Sequence, residues 1–250
     1  AEGEPLYRYY GYVVDHIIET QEQADNAMYD SSAKGYRPSD GKNIAGRKEI
    51  GDYEWKNREG SQTKDGKDYI DSQDQFLLGY TVPHSTGGLN NNFTYKNFTL
   101  NIFVDWALGH SINNNSEMRY FMNTFANNYT LIDEVKQCWK QPGDNTKYAR
   151  FTANDPDDGN ANFSRTSNVF NYKGDYLCIR EISLQYNVPT NKLTKLGIQN
   201  LAITLAGNNL HYFTAVKGVS PEVGASTTYN KDYYNYPPIR KYSVGVKVTF

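Results

Sequence analysis

Asp65-Gly66 followed by Ile70-Asp71-Ser72-Gln73-Asp74 is the first stretch of this chain whose side chains could do chemistry. Carboxylates at alternating positions around a glycine turn are the pattern of a calcium loop. If Asp65 and Gly66 took loop positions five and six, positions one and three would be Ser61 and Thr63, and the apolar position eight would be Asp68. The register fails, so the stretch reads as a polar turn cluster with no metal assigned. Asp155-Pro156-Asp157-Asp158-Gly159 reads likewise as a solvated turn. Asp71 and Asp74 could serve a secreted hydrolase as a carboxylate pair, but their spacing alone defines no geometry between two acids. The four histidines, His16, His84, His110 and His211, are scattered, and none has a second histidine at helical ligand spacing. Nucleophile elbow, Walker loop and dinucleotide fingerprint are lacking, so no catalytic residue and no cofactor is assigned. Cys138 and Cys178 stand in no C-x-x-C pair and cannot make a disulfide framework. A structural, unpaired role is expected of them, although an oxidising compartment would permit a bridge.

Composition narrows the class. The 250 residues are 38% hydrophobic, with a mean hydropathy of -0.75. No run of about eighteen apolar residues offers a membrane helix. Lys and Arg (26) nearly balance Asp and Glu (28) and are interspersed, which leaves no basic footprint for nucleic acid. Tyr is abundant at 22 residues, beside 11 Phe and 3 Trp. Such amphipathic rings suit membrane interfaces, sugar-binding surfaces and strands in general. Ala1-Glu2-Gly3-Glu4-Pro5-Leu6 has neither the basic region nor the apolar core of a signal peptide, so either the chain is cytosolic or its beginning is missing.

The elements that would position any site are strands. Tyr242, Val244, Val246, Val248 and Phe250 share one face of a terminal strand, with Lys241, Ser243, Gly245, Lys247 and Thr249 on the other. Phe98, Leu100, Ile102, Val104, Trp106 and Leu108 form another apolar row, opposite Thr99, Asn101, Asp105 and Ala107, with Phe103 the exception. Lys96-Asn97 is the turn before it, where Asn would tolerate the left-handed conformation. A second hairpin is expected from about Asp175 to Asn209, with Ile182, Leu184 and Tyr186 on one face and Leu201, Ile203 and Leu205 on the partner. Between them Pro189 to Gly197 reads as a short helical turn, with Thr190 a candidate N-cap and Gly197 the stop. Alternation slips between Leu177 and Glu181, which predicts a bulge or an exit from the apolar zone. Tyr7 to Ile17 is a further strand candidate, apolar on both faces, for a total of about six.

Connections of about two and ten residues, at 96–97 and 188–197, alternate with long polar ones at 18–86, 110–174 and 210–239. Short helices are expected in these near Gln21 to Tyr29 and Leu131 to Trp139. Outer-membrane barrels show this asymmetry of short periplasmic turns and long extracellular loops. A soluble, secreted β-sandwich that binds glycans through Tyr and Trp is the alternative, but it explains neither the order of the connections nor the terminal Phe.

The motifs resemble the C-terminal region of the SusC/RagA family of TonB-dependent outer-membrane transporters of Bacteroidetes. Glu2-Gly3-Glu4-Pro5-Leu6, Tyr10-Gly11-Tyr12 and Asp15 are similar to the family's opening stretch, with His16 in place of its glycine. Gly51-Asp52-Tyr53-Glu54-Trp55-Lys56, Asp65-Gly66, Ile70-Asp71 and Asp74 resemble its Asp-rich segment, but Glu59 to Lys64 replaces the Asp-Asn-Asp part and the metal implied there does not carry over. Phe93 to Phe98, Tyr176 to Leu184, Gly207 to Leu210, Pro221-Glu222 and Tyr236 to Arg240 complete the series, so residues 1–250 are covered as one C-terminal barrel part.

The resemblance implies an all-β fold: about six C-terminal strands of a plugged transmembrane barrel of twenty-two, with long extracellular loops. Six strands cannot close a membrane barrel, so the plug, the TonB-contacting segment and the signal peptide are expected upstream of Ala1. It implies import of oligosaccharides or peptides across the outer membrane, with a SusD-like lipoprotein lid and TonB as partners, and no bond chemistry. Asp105, Arg180 and Asn208 are the lumen-facing candidates for ligand contact. Tyr242, Val244, Val246, Val248 and Phe250 are the candidate barrel-assembly signal.

Overall fold

The computed structural model describes residues 7–30, 36–37, 42–43, 47–58, 69–122, 131–152, 155, 160–193, 197–222 and 238–250. Asp65, Gly66 and Pro156 to Gly159 lie outside these residues. The chain divides into two compact units. One is drawn from the described residues of Ala1–Thr81 and Ile112–Tyr172, the other from those of Val82–Ser111, Lys173–Ala225 and Asn235–Phe250.

The second unit is a five-stranded antiparallel meander of β1 (Ser85–Tyr95), β2 (Phe98–Leu108), β3 (Tyr176–Asn187), β4 (Asn200–Thr214) and β5 (Lys241–Thr249), in spatial order β5-β4-β3-β2-β1. Period-two side-chain alternation sets the register, because a slip of one residue would put every apolar side chain on the wrong face. Leu100 pairs with Leu184, Leu184 with Leu205, and Leu205 with Val244, so one apolar row continues across four strands. Strands β1 and β2 meet at the two-residue turn Lys96-Asn97, and Lys96 rather than Asn97 carries the positive φ, 52°. Two-residue hairpin turns need φ above zero at their first central position, which chain order gives to Lys96. Between β3 and β4 a 3₁₀ turn spans Thr190–Lys192, with Pro189 as the capping residue in place of Thr190. Gly197 follows at φ 68°, a left-handed position where glycine costs little.

The expected bulge is present, and Arg180 is its extra residue. Ile179 and Glu181 pair with Val104 and Phe103 on β2, and with His211 and Asn208 on β4. Arg180 is passed over on both sides. On β4 the stretch opposite holds Asn209 at φ 52°, which Asn tolerates better than most residues.

Tyr7 to Ile17 does not join this sheet and so is no sixth strand of it. It forms two short strands in the first unit, Arg8–Gly11 paired with Phe76–Tyr80 and Val14–Ile17 paired with Tyr53–Trp55. Tyr12 between them bonds to the Thr166–Asn168 segment instead, through Tyr12 N–H to Thr166 O at 2.9 Å and Asn168 N–H to Tyr12 O at 3.0 Å. Both faces find apolar partners, as two-sided apolarity requires: Tyr9 is buried, and Tyr12 meets Trp55 edge-on at 6.0 Å.

The core of this unit is aromatic. Phe121 stacks on Tyr148 at 4.3 Å and packs against Phe163 and Phe170, with Tyr53 and Trp55 alongside. Around it, Asp52 is fully buried but satisfied: its carboxylate accepts from Arg150 Nε at 2.5 Å, Asn162 Nδ2 at 2.9 Å, the Glu49 amide at 2.7 Å and Asn160 Nδ2. Gly51 beside it sits at φ 92°, and a Cβ there would lie 2.5 Å from the Trp139 ring, so two constraints demand glycine. The helix expected near Gln21 forms over Gln21–Asn26 with a Thr20 capping box. The Leu131 to Trp139 stretch gives a 3₁₀ turn over Asp133–Gln137. A helix over Asn115–Met122, unanticipated from the sequence, starts where Asn114 Oδ1 accepts from the Glu117 amide at 3.0 Å.

Candidate functional site

The two faces of the sheet differ in kind. On one, Leu89, Phe93, Tyr95, Phe98, Leu108, Leu184, Ile203, Leu205, Phe213 and the β5 residues Tyr242, Val244, Val246 and Val248 are all exposed, Val244 at 72% and Tyr242 at 71%. Phe250 is 80% exposed just beyond β5. So much contiguous apolar surface open to the surroundings marks a face made for a partner or for lipid.

The opposite face carries a charged hub. Asp105 is placed there by the β2 alternation, while Arg180 reaches it because the bulge re-aims its side chain. The guanidinium grips Asp105 bidentately, Nε to Oδ1 at 2.9 Å and Nη2 to Oδ2 at 2.7 Å. Its Nη1 donates to Asn209 Oδ1 at 2.8 Å and to the Tyr212 hydroxyl at 3.2 Å. Nη2 also meets Glu222, which accepts from Tyr212 at 3.0 Å. Asn209 Nδ2 donates to the Ile239 carbonyl at 3.1 Å, next to the start of β5. One cation thus joins three strands, the residue Glu222 beyond β4, and through Asn209 the approach to the last strand.

Of the three lumen candidates, Asp105 and Arg180 come together and Asn208 does not. Asn208 donates to Glu181 Oε2 at 3.3 Å, while Asn101 approaches the other oxygen at 3.5 Å. Asn209, Tyr212 and Glu222 were missed. Tyr212 was traceable, since it shares the period-two face of Asp105 through Cys178. Glu222 was not, because its approach depends on how the chain turns back after β4.

Asp71 and Asp74 form a capping box around the 3₁₀ turn Ser72–Asp74, in which Asp74 also accepts from the Arg58 amide at 2.7 Å. Hydrogen-bond donors of the chain thus occupy these carboxylates. Asp155, expected in a solvated turn, is instead fully buried and accepts from the Phe163 and Ser164 amides at 3.0 Å each. Desolvation pushes its carboxyl up to about 7 against the two amide bonds. Cys138 and Cys178 are buried free thiols, and burial pushes Cys138 up to about 12. His110 is buried, with its pKa lowered by desolvation. Among the described residues no group of three His, Cys, Asp or Glu could hold a metal, and no helix is long and apolar enough to cross a membrane.

An antiparallel meander with one apolar exposed face and one polar face is a segment of a β-barrel. The homologues of the chain are TonB-dependent receptors, and the resemblance read from its motifs holds. It is 28% identical over 194 residues to TonB-dependent receptor P3 of Formosa agariphila, covering 74% of this chain and 18% of that protein. With receptor P39 of the same organism it shares 27% over 200 residues, 76% of this chain and 18% of the relative. The chain therefore spans about a fifth of the length of the curated relatives it matches. Its fold superposes on the RagAB peptide transporter with a TM-score of 0.62 at 18% identity, over 98% of this chain and 23% of that one. No family model matches.

Proposed function

We propose that this chain is the closing part of an outer-membrane, TonB-dependent importer of the SusC/RagA type, taking up oligosaccharides or peptides with a SusD-like lipoprotein. The observation that carries this reading is the exposed apolar face of the five-stranded sheet, backed by a polar face built around Arg180 and Asp105. Lipid satisfies the first face, and a water-filled lumen suits the second. The long connections at 18–86, 110–174 and 210–239 belong in this reading to the extracellular side, where lid and cargo meet. TonB acts through the plug region, which lies outside this chain. Similarity to transporters and receptors supports transport in place of bond chemistry.

The glycan-binding sandwich needs a second sheet over the apolar face, and exposure of Val244 and Val246 at 72% and 64% disfavours it. Extraction of the intact gene product decides between the two. Recovery from outer membranes only with detergent is the expected result, and full solubility in buffer overturns the import reading.

A further inference from the structure

β1 presents Tyr95, Phe93, Asn91, Leu89 and Gly87 on the apolar face of the sheet, opposite Phe98, Leu100, Ile102, Val104 and Trp106 of β2. Tyr95, Phe93 and Leu89 are exposed there as lipid would require, and the Trp106 ring covers Gly87. Asn91, at the centre of the row, breaks the pattern. Its side-chain amide makes no hydrogen bond among the described residues. Every side chain within its reach through the sheet is apolar: Leu89 and Phe93 along β1, Ile102 directly across, and Leu100 and Val104 on the diagonals. The remaining direction is the outer edge of β1, with which no described strand pairs.

Depth keeps this amide from water. Asn91 lies about 13 Å or more along the strand from either end of β1, and its short side chain cannot reach an interface as Lys or Arg does. An amide held in hydrocarbon without a partner is costly, whereas a paired one is tolerated. Composition adds a reason for such a pair to be kept. Gly87, Gly88, Asn90 and Asn92 make β1 a strand that specifies its pairing weakly. One polar pair inside an apolar row fixes the register, because a slip of two residues would leave both polar groups against hydrocarbon.

We infer that Asn91 pairs, across the outer edge of β1, with an uncharged hydrogen-bonding side chain, a hydroxyl or an amide, on the next strand of the same receptor. A charged partner would itself be costly at this depth. The pair sets the register of that seam. This rests on the import reading, which puts lipid on the apolar face.

Urea unfolding of the full-length receptor in lipid vesicles tests the pairing with Asn91→Ala and Asn91→Leu. Both are expected to lower the folding constant by roughly tenfold or more, because each leaves the partner unpaired. If Asn91 faces lipid alone, both substitutions raise that constant by removing an unpaired amide from hydrocarbon. Unchanged or raised stability of Asn91→Ala therefore overturns the pairing, and so does a loss confined to Asn91→Leu, which reports a clash of size. A photo-crosslinking side chain in place of Asn91 identifies the occupant. The expected product joins position 91 to a strand of the same receptor molecule other than β1 to β5, read by mass spectrometry of protease fragments. Products that link two receptor molecules, or that link position 91 to lipid only, overturn the assignment. A receptor that needs detergent for extraction yet is not weakened by Asn91→Ala refutes the pairing only. One that is soluble without detergent refutes the import reading, and with it the hydrocarbon layer on which the pairing depends.

Discussion

Arg180 and Asp105 face each other across β3 and β2 through two parallel hydrogen bonds, at 2.9 and 2.7 Å, although no regular register pairs them. The bulge makes the pairing possible by freeing Arg180 from the ladder on both sides. Arg180 is 25% exposed at its side chain and Asp105 20%, so the pair is partly shielded from water. Removing the cation leaves Asp105 and Glu222 uncompensated. Arg180→Met should therefore cost about 2 to 4 kcal/mol in urea unfolding of the full-length barrel, below the range of a fully buried pair. Combining it with Asp105→Asn should recover part of that loss, and strict additivity of the two changes would show that they do not interact.

Val246 lies in the middle of β5, paired with Ile203 on β4, and is 64% exposed. If lipid covers it near the midplane, Val246→Arg should cost roughly 2 to 4 kcal/mol, while Ser243→Arg on the other face should cost little. The yield of folded full-length receptor after outer-membrane fractionation measures both. Equal yields for the two variants would count against lipid on the Val246 face.

Phe250, exposed at 80%, adds no core packing that its deletion would lose. A role in assembly predicts that removing it lowers the amount of receptor reaching the outer membrane, with unfolding of the assembled fraction unchanged. Normal assembly of the deletion variant would remove that role.

Asp155 makes a pH-dependent contribution whose sign follows from its raised pKa of about 7 against 3.8 when exposed. Between about pH 4 and 7 the folded protein keeps the proton and the unfolded chain does not. The stabilisation is complete below pH 4 and is lost as pH rises through 7. Asp155→Asn retains an oxygen for the Phe163 and Ser164 amides but cannot ionise. Its stability relative to wild type should rise between pH 5 and pH 8, by at most about 3 kcal/mol, because about two pH units of that window lie below the folded pKa. A constant difference across that range would mean that Asp155 is not protonated in the folded state.

The sheet was legible residue by residue because alternation is a local property. Phe98 to Leu108 and Tyr242 to Val248 could bury or expose one face only as strands, and the Lys96-Asn97 turn followed from where one row stopped and the next began. The bulge left a local trace too, as a break in alternation at Leu177 to Glu181. Nothing local distinguished Asn208 from Asn209 as the partner of Arg180, since which one faces the guanidinium depends on the shift of β4 against β3. Glu222 had to be carried back to Tyr212 by the fold. Asp155 sits in a run of polar residues that reads as solvated, and it is buried because amides eight and nine residues on close over its carboxylate. Tyr7 to Ile17 had strand character but no face to choose, and its pairings run to Tyr53–Trp55 and Phe76–Tyr80, dozens of residues away. Patterns of period two are written into neighbouring residues, whereas partners for bulges, buried acids and two-sided strands are selected by distant segments of the chain.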